Sequence, residues 1–413
     1  MMRRQKTLSV LAVTALIWLP AQAAHGQKYV SRMRVKDETR LDWTFAVSNR
    51  SVKDAPAEWL KDYESTDQRY SLYLPPAKPN EALPLVIFVP ASPTPIAWNF
   101  WKSFFQRRGI AYAEPFKAGN TCPGIQRVRI VLDVLDDVRR RANIDPDRTY
   151  IGGYSGGGRV ACAIAFALPE CFGGVVPACA GGDLRPESYL RQRVKDRLSV
   201  ALLTGETDFN RAEVERYRTP ILENLGIRSR TWTVWRLGHT LPSERTFRQA
   251  FDWLEEGLAG RREFARKYAA SRIGHPTREE WSANLLAEAK QRIEDDEVRY
   301  TGMMQLKGIM NRWPDTPAGK EARELVGHWH NKSDGVAKQD VSEQREFLHI
   351  KARAATAFAR GPIPKGRVMF RSDYAKNAIS LWKKLKEEGA DSTIVEQADD
   401  AIPKLEKLLK KKR

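Results

Sequence analysis

Arg148-Thr149-Tyr150-Ile151-Gly152-Gly153-Tyr154-Ser155-Gly156-Gly157-Gly158 is the stretch on which the reading of this chain turns. Arg148 to Gly152 has the make-up of a short strand, and Gly157 to Leu168 that of a helix built from small residues. Ser155 falls between them. A serine on so sharp a strand-to-helix turn is held with its hydroxyl exposed, and glycines two residues before and after it let strand and helix approach without a Cβ clash. A phosphate loop would carry Gly-Lys-Ser/Thr, which is missing here.

Strand and helix patterns alternate on both sides of this turn. Leu41 to Val47 alternates apolar and polar residues, as does Arg69 to Leu74 before Pro75-Pro76. Leu83 to Val89 is almost wholly apolar, the signature of a buried parallel strand. After the Pro90 to Pro95 loop, Ala97 to Arg108 predicts a helix and Ile110 to Phe116 a strand. Gln126 to Asn143 repeats Val128, Val131, Leu132, Leu135 and Val138 at helical spacing, and Asp145-Pro146-Asp147 reads as a turn. Further strands are expected at Gly173 to Pro177, Ser199 to Thr204 and Thr231 to Leu237, with a helix from Asn210 to Leu225. This alternation predicts an α/β fold with a doubly wound, mostly parallel sheet.

A serine hydroxyl needs a base, a group to orient that base, and donors for the oxyanion it generates. His239 directly follows the last predicted strand. Of the other histidines, His25 lies near the N-terminus and His275, His328, His330 and His349 fall in the polar C-terminal region. Asp208, just past the strand Ser199 to Thr204, is the candidate orienting acid. Glu206 and Asp183 are its competitors, and Asp208 can also cap the following helix. Backbone N–H groups suit the oxyanion: Gly156 after the serine, and Ala91 or Ser92 after the strand Leu83 to Val89, since Pro90 and Pro93 have none. Trp98, Phe100, Trp101, Phe104 and Phe105 form the core face of a helix or line a pocket. No metal motif or organic cofactor is implied.

Tyr70 to Pro76, Leu83 to Phe88, Ile144 to Gly158, Phe172 to Val176 and Thr204 to Asp208 resemble the esterase D, polyhydroxybutyrate-depolymerase and feruloyl-esterase branch of the α/β-hydrolases. The resemblance covers roughly residues 40 to 257. It implies an α/β-hydrolase fold, Ser155 as nucleophile, Asp208 as acid and His239 as base, in the chain order of that superfamily's triad. It also implies a carboxylic ester substrate, such as an acetyl or feruloyl group on a carbohydrate. The branch usually has His-Gly where this chain has Pro90-Ala91. A serine peptidase on the same fold, or a non-catalytic scaffold, are the alternative readings.

Length and composition bound the rest. At 413 residues the chain is expected to hold more than one domain: an export signal at 1–24, a catalytic domain at 28–259 and an all-α region at 260–413. Arg3, Arg4 and Lys6 precede the apolar run Leu8 to Leu19 and the small-residue site Ala21-Gln22-Ala23. This is the pattern of a cleaved signal peptide of an exported, periplasmic or secreted protein and not of a stable membrane anchor. The net charge of +18 comes without any nucleic-acid-binding motif, so a generally basic surface is expected and nucleic acid is not a predicted partner. Cys122, Cys162, Cys171 and Cys179 allow disulfides in an oxidising compartment, or buried thiols.

After Gly260 the chain is polar and helical, and Thr277 with Glu280 forms a capping box. Asn331 to Asp340 reads as a linker, and Gly361-Pro362-Ile363-Pro364 as a break. Leu306, Ile309, Pro314-Asp315-Thr316, Ala322 and Val326 have counterparts at constant offset in Trp382, Leu385, Ala390-Asp391-Ser392, Ala398 and Ile402. The pair resembles a degenerate tetratricopeptide-like hairpin used twice, a surface suited to a protein partner.

Overall fold

Leu83–Val89 (β3) is buried along its whole length, as a continuous apolar run requires of a strand covered on both faces. It lies near the middle of an eight-stranded sheet in this computed structural model, which describes residues 28–47, 55–268, 277–330, 334–361 and 371–410. The other strands are β1 (Lys28–Arg34), β2 (Arg69–Leu74), β4 (Ala111–Pro115), β5 (Ile144–Tyr154), β6 (Gly174–Ala178), β7 (Ser199–Gly205) and β8 (Arg228–Val234). Their order is β1-β2-β4-β3-β5-β6-β7-β8. The β1–β2 and β2–β4 pairs are antiparallel, and every later pair is parallel. The expected doubly wound, mostly parallel sheet is therefore present.

Before β3 lie the short helices α1 (Trp43–Val47) and α2 (Ala57–Leu60). Crossovers between the strands from β3 to β8 are made by α3 (Ala97–Arg108), α4 (Gly124–Arg141), α5 (Gly156–Ala167), α6 (Ser188–Arg197) and α7 (Thr219–Asn224), the last entered from a π-helical turn at Glu213–Arg218. Then come α8 (Glu244–Glu256) and α9 (Leu258–Lys267). The remaining described helices are α10 (Arg278–Ile293), α11 (Arg299–Arg312), α12 (Pro317–His330), α13 (Asp334–Arg360), α14 (Arg371–Glu387) and α15 (Ser392–Lys410). None of the described helices is long and apolar enough to cross a membrane. Helix, turn and helix recur at α11–α12 and α14–α15, where the repeated residues sit.

Three local expectations change. Leu41 to Val47 is not a strand: its second part is α1, and Trp43, Thr44, Phe45 and Ala46 are all buried, so the alternation does not divide two faces. Asp42 sets the turn, taking the Thr44 hydroxyl on one carboxylate oxygen and the Trp313 indole N–H, at 2.8 Å, on the other. The first strand is instead Lys28–Arg34, whose mixed exposure marks a sheet edge. The linker reading of Asn331 to Asp340 gives way to α13, which already runs from Asp334; residues 331–333 and 362–370 lie outside the described ones, as does the proposed signal at 1–24. Asp145-Pro146-Asp147 is a bulge inside β5, between the pairings Leu83 with Ile144 and Leu85 with Thr149. None of the four cysteines forms a disulfide.

One hydrophobic core lies between the sheet and α4, α5 and α6, and continues into α10 to α15. The other lies between the opposite sheet face and α3 and α8. The helical region meets α6 through buried ions. Arg193 donates to Glu170 at 3.2 Å and to Glu288 of α10 at 2.8 Å. Arg292 reaches Asp196 at 3.0 Å and Glu288 at 3.1 Å. Arg312 lies over the rings of Phe45, Trp281 and Trp313. Removing one member of such a set strands its partners in a medium that cannot solvate them. Glu288→Ala, which leaves both Arg193 and Arg292 short of a carboxylate, is expected to destabilise the fold by about 3–5 kcal/mol in urea unfolding.

Candidate active site

Ser155 takes φ 53° and ψ −119°, a backbone region that a side-chain-bearing residue enters only under constraint. The constraint is visible. Its N–H donates to the Ala178 carbonyl at 2.8 Å, and α5 begins at the next residue. A Cβ on Gly153 would lie 2.4 Å from the Gly157 carbonyl oxygen, and one on Gly157 would lie 2.1 Å from the Val89 carbonyl oxygen. Only glycine permits either approach.

The structure brings the three predicted side chains together. His239 Nε2 is 2.9 Å from Ser155 Oγ, and His239 Nδ1 is 2.7 Å from Asp208 Oδ1. A carboxylate at Nδ1 selects the tautomer with its proton there, which leaves the Nε2 lone pair facing the serine hydroxyl. Asp208 follows β7 and is buried. It also accepts Thr204 Oγ1 and the Asn210 N–H, each at 2.9 Å. Burial by itself would raise the Asp208 carboxyl. The bonds from His239, Asn210, Thr204 and the Cys179 thiol outweigh it and hold that carboxyl below its ordinary value, so Asp208 stays an anion.

Both the imidazole and the backbone of His239 are held. Phe209 stacks on it with ring centroids 3.9 Å apart, while remaining 41% exposed. The Tyr154 hydroxyl donates to the His239 carbonyl at 2.5 Å. Burial, with help from Cys179 and Asp208, pushes the Tyr154 phenol up to about 12, so it keeps its proton at neutral pH. Trp101 of α3 donates its indole N–H to the Pro242 carbonyl at 3.0 Å, anchoring the loop just past the histidine. Trp101, Phe104 and Phe105 are core residues of α3, whereas Phe100 is exposed.

The competitors of Asp208 are engaged elsewhere: Glu206 accepts the Arg236 N–H at 3.0 Å, and Asp183 is exposed in the loop after β6. Among the described residues, Cys179, Asp208 and His239 are the one group of potential metal ligands with donor atoms within 4.8 Å of each other. The relay already occupies the atoms an ion would need. The remaining histidines in described segments, His328, His330 and His349, lie on α12 and α13; His275 is outside the described residues.

The loop after β3, which holds Ala91 and Ser92, is tied at several points. Arg127 of α4 donates to the Pro90 carbonyl at 3.0 Å and the Ala118 carbonyl at 2.7 Å. Ala91 accepts the Asn120 N–H at 2.8 Å, and the Ser92 hydroxyl turns to the Thr94 carbonyl at 2.7 Å. Glu114 accepts the N–H groups of Ile96 and Ala97 at 3.0 and 3.1 Å, fixing the loop where α3 begins. Glu114, Asn120, Arg127, Tyr154, Cys179, Thr204 and Asn210 escaped the sequence reading. Only Tyr154, inside the glycine-serine run, and Asn210, two residues past Asp208, carried a local signal.

No family model matches this chain, and no curated protein matches it. It is similar in fold to solved structures that include the following three. A substrate-bound fluorophosphonate-binding serine hydrolase F from Staphylococcus aureus has a TM-score of 0.40 at 13% identity, over 56% of this chain and 99% of that one. An S-formylglutathione hydrolase from the same organism has a TM-score of 0.37 at 13% identity, over 46% and 93%. Est1E from Butyrivibrio proteoclasticus has a TM-score of 0.35 at 14% identity, over 46% and 95%. Likeness at this level names no substrate.

Glu114 makes a pH dependence. Burial, the largest influence, raises its carboxyl to about 7 against the hydrogen bonds that favour the ionised form. The folded protein then keeps a proton that the unfolded chain, at the ordinary 4.5, releases. This part of the stability is full below about pH 4.5 and is lost as pH rises through about 7. Glu114→Gln, neutral throughout, is expected to gain stability relative to wild type as pH rises across that window. Urea unfolding of both proteins along a pH series measures it, and parallel curves would show that Glu114 is already ionised when folded.

Proposed function

We propose that this protein is a serine hydrolase that cleaves carboxylic esters through an acyl-enzyme. The observation that carries the reading is the unbroken hydrogen-bonded relay from Ser155 through His239 to a buried, anionic Asp208. In the first step Ser155 Oγ forms a bond to the ester carbonyl carbon, its proton passes to His239 Nε2, and the carbonyl π pair moves onto oxygen. Collapse of this intermediate breaks the bond to the alcohol, which leaves with the proton from His239. Water then repeats the sequence on the acyl-serine and releases the acid. Asp208 stays ionised throughout and stabilises the imidazolium. Gly156 N–H, with Ala91 or Ser92 N–H, faces the developing oxyanion in this reading.

The resemblance in the strand and glycine-serine motifs supports an ester over a peptide substrate, carbohydrate-linked in the branch concerned. The signal-like pattern of residues 1–24 supports export to the periplasm or beyond. The intact relay speaks against a non-catalytic scaffold. The helical region is proposed as a surface for a protein partner.

The test is hydrolysis of a short-chain p-nitrophenyl ester together with labelling by a fluorophosphonate probe. Wild type is expected to turn over and to label. Ser155→Ala is expected to lose both, and Asp208→Asn to lose about 10⁴-fold in kcat because it favours the wrong imidazole tautomer. Wild-type protein that neither hydrolyses nor labels would refute the proposal.

A further inference from the structure

Two observations place Asn120 against Gly156, the residue after the nucleophile, and against the loop after β3. A Cβ built on Gly156, the residue after Ser155, would lie 2.0 Å from Asn120 Oδ1, 2.9 Å from Cγ and 3.3 Å from Nδ2. The carboxamide thus fills the space that a side chain at position 156 would take. Its backbone is pinned as well, by the Asn120 N–H on the Ala91 carbonyl.

The amide has a defined orientation. Arg127 Nη1 donates to Asn120 Oδ1 at 3.4 Å, while the same guanidinium holds the Pro90 and Ala118 carbonyls. A guanidinium has only donors, so it selects the carbonyl end of the amide. Nδ2 is left with two N–H groups and no acceptor among the described residues, on a side chain that solvent reaches. Such a donor, 3.3 Å from the space a Cβ would take on the residue after the nucleophile, suits an oxygen on which charge develops.

We propose that Asn120 is a catalytic residue of the reaction above, donating a hydrogen bond from Nδ2 to the oxyanion of the tetrahedral intermediate alongside the Gly156 N–H. This rests on the serine-hydrolase reading. It gives the site a side-chain donor next to a loop in which Pro90 and Pro93 have no N–H to offer. As Ser155 Oγ bonds to the carbonyl carbon and the π pair moves to oxygen, the amide gains a charged acceptor that the ground state lacks. Its effect therefore falls on kcat.

Asn120→Asp tests the donor separately from the loop. It keeps the size of the side chain and an oxygen for Arg127, but replaces N–H with an anionic acceptor. kcat is expected to fall about 10²–10³-fold or more, with KM and the thermal midpoint near wild type. Inhibition by a trifluoromethyl ketone, which mimics the tetrahedral intermediate, is expected to weaken by a similar factor. Asn120→Ala is expected to give a comparable loss of kcat, and Gly156→Ala, whose added methyl displaces the amide, to follow it. Wild-type kcat and inhibitor affinity in Asn120→Asp would overturn the proposal. So would a loss of kcat in Asn120→Ala that Asn120→Asp restores, since that would mean only the contact with Arg127 matters. Wild-type protein that neither turns over ester nor labels with fluorophosphonate would instead refute the hydrolase reading on which the proposal rests.

Discussion

The positive φ at Ser155 is the constraint on which the rest of the structure depends. Holding a serine there costs on the order of 1–3 kcal/mol, and it persists only because its surroundings leave the backbone no alternative. β5 runs between β3 and β6 in parallel pairing up to the residue before the turn, and the Ser155 N–H continues the ladder to Ala178. α5 must then start at once and pass over the end of β3, which Gly157 permits by its contact with the Val89 carbonyl. The return is positional. The hydroxyl stands at the carboxyl ends of the parallel strands, where the loops after β7 and β8 deliver Asp208 and His239.

The loops around the site after β3, β4 and β8 are fixed by buried groups from different layers. Trp101 of α3 holds the carbonyl of Pro242. Arg127 of α4 ties the loops after β3 and β4 together. Glu114 at the end of β4 closes the far end of the β3 loop. A free carboxylate or guanidinium at these depths would be costly. Here each is spent on backbone groups that no strand or helix satisfies. The same economy accounts for part of the basic composition. Arg193, Arg197, Arg261, Arg292 and Arg312 are buried, so the arginine content is not all a property of the surface. Arg193, Arg292 and Arg312 join the α/β layers to the helical region, where a buried ion set favours one mutual arrangement over others more than it adds stability.

What could be read from the sequence follows from how far each signal is local. The doubly wound sheet was legible because Leu83 to Val89 and Ser199 to Thr204 are strands with no polar face to hide. Ser155, Asp208 and His239 were legible because each sits within a few residues of a strand end, so chain order carried their spatial order. Leu41 to Val47 looks like a strand because alternation alone does not say whether a sheet edge is available; the Asp42 turn and its bond to Trp313, 271 residues away, decide the matter. The α13 start is not legible because a polar run such as Asp334 to Asp340 looks the same on a solvated helix as in a linker.

The oxyanion side shows the limit most sharply. The sequence offers Gly156 and Ala91 or Ser92 as oxyanion donors because it brings only the loop after β3 into view. The fold brings a second loop to the same place. β4 lies beside β3, so the residues after Phe116 must pass the end of β3 on their way to α4, and the Ala91 carbonyl captures the Asn120 N–H as they do. Nothing in Ala118-Gly119-Asn120 signals this, since the sequence distance to Ser155 is long and the motif is that of any turn. In the sequence, Gly156 offers one backbone N–H. Its missing side chain matters as much, because that vacancy is where the amide sits. A glycine beside a nucleophile is thus read correctly only with the residue that occupies its empty space.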